Sequence, residues 1–270
     1  MAINVPFLEK AYFYFDEPVP YTIHDKTILI KPISLKDSEI FLSSVGLLTV
    51  DKNSLPSVEI IKMSYLKFIV QILFQENPEN IQRLVNILKL CLDINDPVIS
   101  PDYELISREK EIVINSKAFE EIKRIILFQN IPNYDDSYID PEVKQSMAEL
   151  DELKNRNIEI PSLERKIAII TAHCGLSKKE QLQMTYRSHS MLFNEVYTET
   201  EYMTTKPIAW YTGQADKVDN WIYKQRKGKF DDYFVSTQQF SKSMGGDGNI
   251  KSVTTSDGDL YNSQLNSFNK

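Results

Sequence analysis

Glycine is scarce in this chain and badly placed for nucleotide chemistry. Only 8 of the 270 residues are glycine, and Gly245, Gly246, Gly248 and Gly258 fall in the last stretch. The remainder, Gly46, Gly175, Gly213 and Gly228, stand singly. A loop that cradles phosphate needs clustered glycines, so that backbone N–H groups can approach the anion closely. Neither GxGxxG nor GxxxxGK(S/T) occurs, which sets aside a Rossmann or P-loop nucleotide enzyme. A chain that is 42% hydrophobic and 11% aromatic can still outweigh its ordering entropy and build a core.

Charge and cysteine narrow the classes further. Lys plus Arg number 31 against 38 Asp plus Glu, a net charge of −7. Such a protein repels a phosphate backbone on average, so nucleic-acid binding would need a local basic patch. Two cysteines, Cys91 and Cys174, cannot supply an all-thiolate zinc site, which takes four. Cys91 lies among Ile87, Leu88, Leu90 and Leu92 and reads as a small buried hydrophobe. The start of the chain has no basic and apolar signal-peptide pattern. The longest apolar run, Phe68 to Phe74 broken by Gln71, falls far short of the ~18 residues that span a bilayer. A soluble protein of a reducing compartment is expected.

The hydrophobic pattern predicts a mainly α (α+β) protein, a helical-bundle-like body with small β-hairpins near the N-terminus and a flexible C-terminal tail. Residues 20–33 hold two β-prone runs around His24-Asp25-Lys26, a hairpin signal. Ser34 and Asp37 resemble a capping box before a helix carrying Leu35, Ile40, Phe41 and Val45 and ending near Gly46. Ile61, Tyr65, Phe68 and Ile72 repeat at helical spacing, and Asn77-Pro78-Glu79 opens the next helix, expected to pack antiparallel on the first. Residues 103–114 suggest another hairpin, and Asn115-Ser116 caps a helix bearing Phe119, Ile122, Ile125 and Ile126. Asp140-Pro141 opens a charged helix, and Ser162 begins one ended by Gly175. Ser177 with Glu180 then starts a last helix to about Val196. Three portions follow: 1–115, α+β; 116–235, helical with an aromatic and basic segment; and 236–270, a Ser/Gly-rich tail.

No catalytic signature emerges. His173 and Cys174 are adjacent, so on one helix their side chains point about 100° apart, poor geometry for a catalytic pair. His24, His173 and His189 lack metal-ligand spacing, and the paired carboxylates lie on polar segments. No enzyme activity, metal or cofactor is expected. The stretch around Gly175 has a helix-turn-helix layout that would present Lys178, Lys179, Gln183, Thr185 and Arg187, though Met184, Tyr186, Met191, Leu192 and Phe193 suggest burial instead. From Lys206 to Lys229, cations interleave with aromatics. Trp, Tyr and Arg dominate protein interfaces, so Trp210, Tyr211, Trp221, Tyr223 and Arg226 are the candidate contact residues.

Three stretches together resemble a group of tailed-phage proteins. They are Thr27 to Asp37, then Leu47 to Pro56 leading into Met63-Ser64-Tyr65-Leu66, and Gly175-Leu176-Ser177 followed by Met184-Thr185-Tyr186 and Phe193-Asn194-Glu195. The arrangement is similar to the tail assembly chaperones of long-tailed phages of Gram-positive bacteria. The resemblance implies a non-enzymatic factor in the host cytoplasm that binds the tape measure protein and tail-tube protein during virion assembly, with self-association as a further option. Two other readings stay open: a structural virion protein of tail or baseplate whose C-terminal tail is ordered by neighbours, and a DNA-binding adaptor using the helix after Gly175.

Overall fold

The computed structural model describes residues 3–55, 57–156, 159–215, 218 and 220–222. It is mainly helical, with two small antiparallel sheets. The Ser/Gly-rich stretch 236–270 lies outside the described residues.

The first hairpin pairs β1 (Val19–Ile23) with β2 (Lys26–Ile30), Val19 facing Ile30 and Ile23 facing Lys26. Its two-residue turn needs a left-handed backbone, which His24 adopts at φ 55°. Val19, Ile23, Ile28 and Ile30 turn inward, as period-two alternation requires. A second sheet joins β3 (Pro97–Ile99), β4 (Leu105–Ser107) and β5 (Ile112–Ile114) in sequence order. The sequence pattern marked β4 and β5; β3, only three residues long, has no periodicity to reveal it.

Helices close over these sheets. α1 (Val5–Ala11) leads through a 3-10 turn, Phe13–Phe15, into the first hairpin. A 3-10 turn, Leu35–Asp37, precedes α2 (Ser38–Thr49). The expected stop near Gly46 does not occur: the helix continues three residues because Leu47 and Leu48 are buried, and a glycine within a helix costs only about 1 kcal/mol. The next expected helix is broken into α3 (Val58–Lys62), α4 (Tyr65–Phe68), a π-helical turn at Ile69–Leu73 and α5 (Phe74–Glu76). α6 (Glu79–Leu92) follows, its first turn met by Asn77 Oδ1, which accepts from the Glu79 N–H at 2.9 Å. Its principal partner is α2, rather than the helix just before it, because Leu84, Ile87, Leu88 and Cys91 form one stripe that α2 covers.

The free carbonyls at the end of α6 need partners. The Lys31 N–H donates to Cys91 O at 2.8 Å and the Lys110 amine to Leu92 O at 2.6 Å, which ties both sheets to this helix end. Tyr65 does the same for α2: its hydroxyl lies 2.9 Å from Leu47 O and 3.1 Å from Val50 O.

α7 (Ser116–Asn130) is capped by Asn115, whose Oδ1 accepts from the Ala118 N–H at 2.9 Å. Its Phe119, Ile122, Ile125, Ile126 and Leu127 join the same core as Ile30, Phe41, Leu66, Phe68 and Leu105, so that core draws on residues either side of position 115. α8 (Pro141–Asn155) is an outer helix with Val143, Leu150 and Leu153 exposed.

The remaining helices form a second packed group. α9 (Leu163–Cys174) ends where Gly175 turns left-handed at φ 72°. α10 (Lys178–Gln183) begins with a complete capping box between Ser177 and Glu180. The expected single helix from Ser177 to Val196 is in fact two: the chain is extended at Met184–Thr185 before α11 (Tyr186–Tyr211) starts. The interruption is held by long-range pairing, Leu35 N–H to Met184 O and Tyr186 N–H to Ile33 O, each 2.8 Å.

Candidate protein-contact surface

α11 carries the surface, and its first turn is locked to the body. Thr185 accepts from the Ser188 N–H at 3.1 Å and donates its hydroxyl to Asp16 at 2.6 Å. The Ser188 hydroxyl also reaches the Asp16 carboxylate, at 2.9 Å. Arg187 is almost wholly buried, donating to Phe128 O at 2.9 Å and to Glu9 Oε1 at 2.5 Å, with its guanidinium over the Phe13 ring. Thr185 and Arg187 thus face inward, while the rest of the helix-turn-helix set, Lys178, Lys179 and Gln183, is exposed on α10.

One buried polar pair holds α9, α10 and α11 together. Gln181 is fully enclosed; its amide nitrogen lies within hydrogen-bond distance of Ile167 O (3.2 Å), Thr171 Oγ1 (2.9 Å) and Leu176 O (3.1 Å). Its Oε1 stands 3.2 Å from Nε2 of His189, itself buried. Since Oε1 only accepts, Nε2 carries the proton. Burial, and secondarily the charge of Lys166, hold the His189 imidazole below its ordinary pKa.

Two further contacts set the direction of α11. Lys166 Nζ lies 5.4 Å from the Phe193 ring centre, and His173 Nε2 lies 3.1 Å from Glu199 Oε2. α9 and α11 therefore run side by side in the same sense. His173 is the penultimate residue of α9, so α11 continues about three turns beyond its neighbour. His173 and Cys174 close α9, and the exposed Cys174 thiol is free.

On that extension Ala209 is buried and Tyr202 half-buried, while four larger side chains face outward. Met203 and Ile208 are each 64% exposed, Trp210 is 72% and Tyr211 94% exposed. Met203 and Trp210, seven residues apart, share a face. Beyond Tyr211 the chain turns at Gly213, φ 68°, and folds back against Lys206, whose amine donates to Ala215 O at 2.5 Å. Trp221 is half-buried and its neighbour Ile222 is exposed. Of the five residues singled out from sequence, Trp210, Tyr211 and Trp221 are thus placed; Tyr223 and Arg226 lie outside the described residues. Met203 and Ile208 belong with them. In the sequence they stand as isolated apolar residues on either side of Pro207, a weaker mark than aromatics interleaved with cations.

A group of ionisable side chains around α7 is tied down. Lys123 lies 3.5 Å from the Tyr65 ring centre and 3.3 Å from Glu120. Burial lowers its pKa, with Glu120 opposing. Arg124 pairs with Asp136 at 2.5 Å and Lys144 with Asp51 at 3.0 Å, joining α7 and α8 to the loops around them. Among the described residues no group of His, Cys, Asp or Glu could hold a metal ion, and no helix is long and apolar enough to cross a membrane. Comparison with protein-family models, curated proteins and solved structures finds no match.

Proposed function

We propose that this chain is a non-enzymatic phage tail assembly factor, a chaperone that works in the host cytoplasm by binding the tape measure protein, the tail-tube protein or both. The observation that carries the contact reading is the extension of α11. It runs past its packing partner with Met203, Ile208, Trp210 and Tyr211 turned to solvent. Large aromatics have few rotatable bonds and offer contact area at small entropic cost, the composition of interface hot spots.

The assembly role rests on the stretches that resemble tail assembly chaperones. Two of them meet in space: Ile33-Ser34-Leu35 and Met184-Thr185-Tyr186 form the strand-like seam that anchors α11. The middle stretch closes on itself through Tyr65 and the carbonyls of Leu47 and Val50. Residues of one family pattern that hold one another in place are consistent with a shared fold, and the seam is what aims the exposed helix.

Co-expression with the tape measure and tail-tube proteins of the same phage, followed by purification on a tag carried by this chain, tests the reading. A stable complex with either is the expected result. Isolation of this chain alone from both co-expressions would overturn it, and finding it as a stoichiometric part of mature particles would assign it to the virion instead.

A further inference from the structure

The outer edge of the first hairpin is open. Its two-residue turn makes Ile23 and Lys26 a hydrogen-bonded pair, so the ladder bonds fall there, at Tyr21 with Ile28 and at Val19 with Ile30. Thr27 and Leu29 then point their N–H and C=O groups away from β1. Two features confirm the alternation. Pro20, which has no N–H to give, stands opposite Leu29, and the next outward N–H, that of Lys31, reaches Cys91 O at 2.8 Å. No described residue bonds to the outward backbone groups of Thr27 or Leu29.

That row of groups opens on a groove of about 510 Å³, lined also by Asp93, Lys110 and, from β5, Ile112. The charges around it are already partnered: Lys26 with Glu111 at 2.7 Å, Lys31 with Asp93, and Lys110 with Leu92 O. What is left unpaired is backbone, in alternating positions, and an extended chain is what presents the matching row. From Lys26 to Leu29 the edge runs about 13 Å, the length of about four residues. Residues of an added strand opposite Thr27 and Leu29 share the outer face with the Leu29 side chain, which is 50% exposed. The residue between them turns to the core side, where Ile112 lines the groove. A second copy fits poorly. In an antiparallel pair of β2 edges, Asp25 of the copy falls either beside Lys31, where Cys91 O already stands, or opposite the apolar Leu29. We infer that the β2 edge docks an extended segment of a partner protein, about four residues long, with one apolar side chain on the core side and another opposite Leu29.

The inference rests on the contact reading above but uses none of the α11 surface, so the two fail separately. If the edge binds nothing, Trp210 and Tyr211 are untouched. If the edge binds while no phage protein co-purifies, only the assembly role falls.

The test selects binders of the full-length chain from a random heptapeptide display library and titrates the tightest peptide. Alternating apolar residues are expected in the selected sequences. N-methylation of that peptide, one amide at a time, reads the geometry. Methyl groups on two amides two residues apart should each weaken binding at least about tenfold, and one on the amide between them by less than about threefold. Thr27→Pro spares the hairpin, because the N–H it removes is an outward one, and should weaken binding at least about tenfold. Should Thr27→Pro unfold, Leu29→Lys at its exposed position replaces it, with the same loss expected. The Trp210→Ala/Tyr211→Ala double variant is the control and should bind like the parent. Because the surrounding charges are paired, affinity should change less than about threefold between about 50 and about 500 mM salt. Peptides indifferent to both edge variants, a response to methylation without alternation, a steep salt dependence, or no selected peptide because residues 223–270 or a second copy covers the edge would each overturn the inference.

Discussion

Arg187, in the first turn of α11, reaches across to Glu9 of α1 and places its guanidinium 2.5 Å from the carboxylate while also donating to Phe128 O. One side chain thereby joins the N-terminal helix, the end of α7 and the helix that carries the exposed aromatics. Arg187→Ala strips a buried carbonyl of its donor and Glu9 of its partner, and should destabilise the protein by about 2 kcal/mol. Arg187→Lys keeps the charge but not the fork, and should recover less than half of that. Urea denaturation of the three proteins checks both.

Tyr65 is placed to a similar end within the body. Its ring lies under the Lys123 amine and its hydroxyl meets two carbonyls at the end of α2. Burial and the nearby Glu120 push the phenol well above its ordinary pKa, so it stays a donor at any working pH. Tyr65→Phe keeps the packing and removes the donor, a change expected to cost about 1–2 kcal/mol by the same denaturation measurement.

His189 gives stability a pH dependence with a definite sign. The folded protein holds it neutral, with its pKa lowered by burial and by Lys166. The unfolded chain takes up a proton near the ordinary value of about 6.5. The unfolded state then binds more protons, so the contribution is fully present above that pH and is lost as pH falls below it. His189→Gln should therefore lose less stability than the parent between neutral pH and pH about 5.5. An equal loss in both proteins would remove His189 as the cause.

The two thiols should behave oppositely. Cys174 is exposed and free, whereas burial in the core pushes the Cys91 thiol far up and out of reach. A thiol reagent should titrate a single group in the native protein and both in denaturant. Reaction of Cys91 in the folded state would show that α6 opens locally.

Much of the fold was legible because its signals are local. Asn115, Ser162 and the Ser177–Glu180 box mark helix starts with side chains that bond backbone N–H groups three residues on. The His24 turn declared itself by the β-prone runs around it. The break at Met184–Thr185 did not, because what extends the chain there is Ile33–Leu35, a strand-like partner far away in sequence. The same holds for Thr185 and Arg187, polar residues that looked free for a ligand and instead answer Asp16 and Glu9. Trp210 and Tyr211 were legible as aromatics near cations; their exposure was not, since it depends on where α9 stops.

Trp210 and Tyr211 offer the decisive experiment, because both are exposed enough that their loss should leave folding intact. The affinity of the parent and of the Trp210→Ala/Tyr211→Ala double variant is measured for the tape measure and tail-tube proteins, the partners proposed above. Contact through the end of α11 requires at least about a tenfold loss of affinity, with denaturation unchanged within about 0.5 kcal/mol. Equal affinity in the two proteins would contradict it.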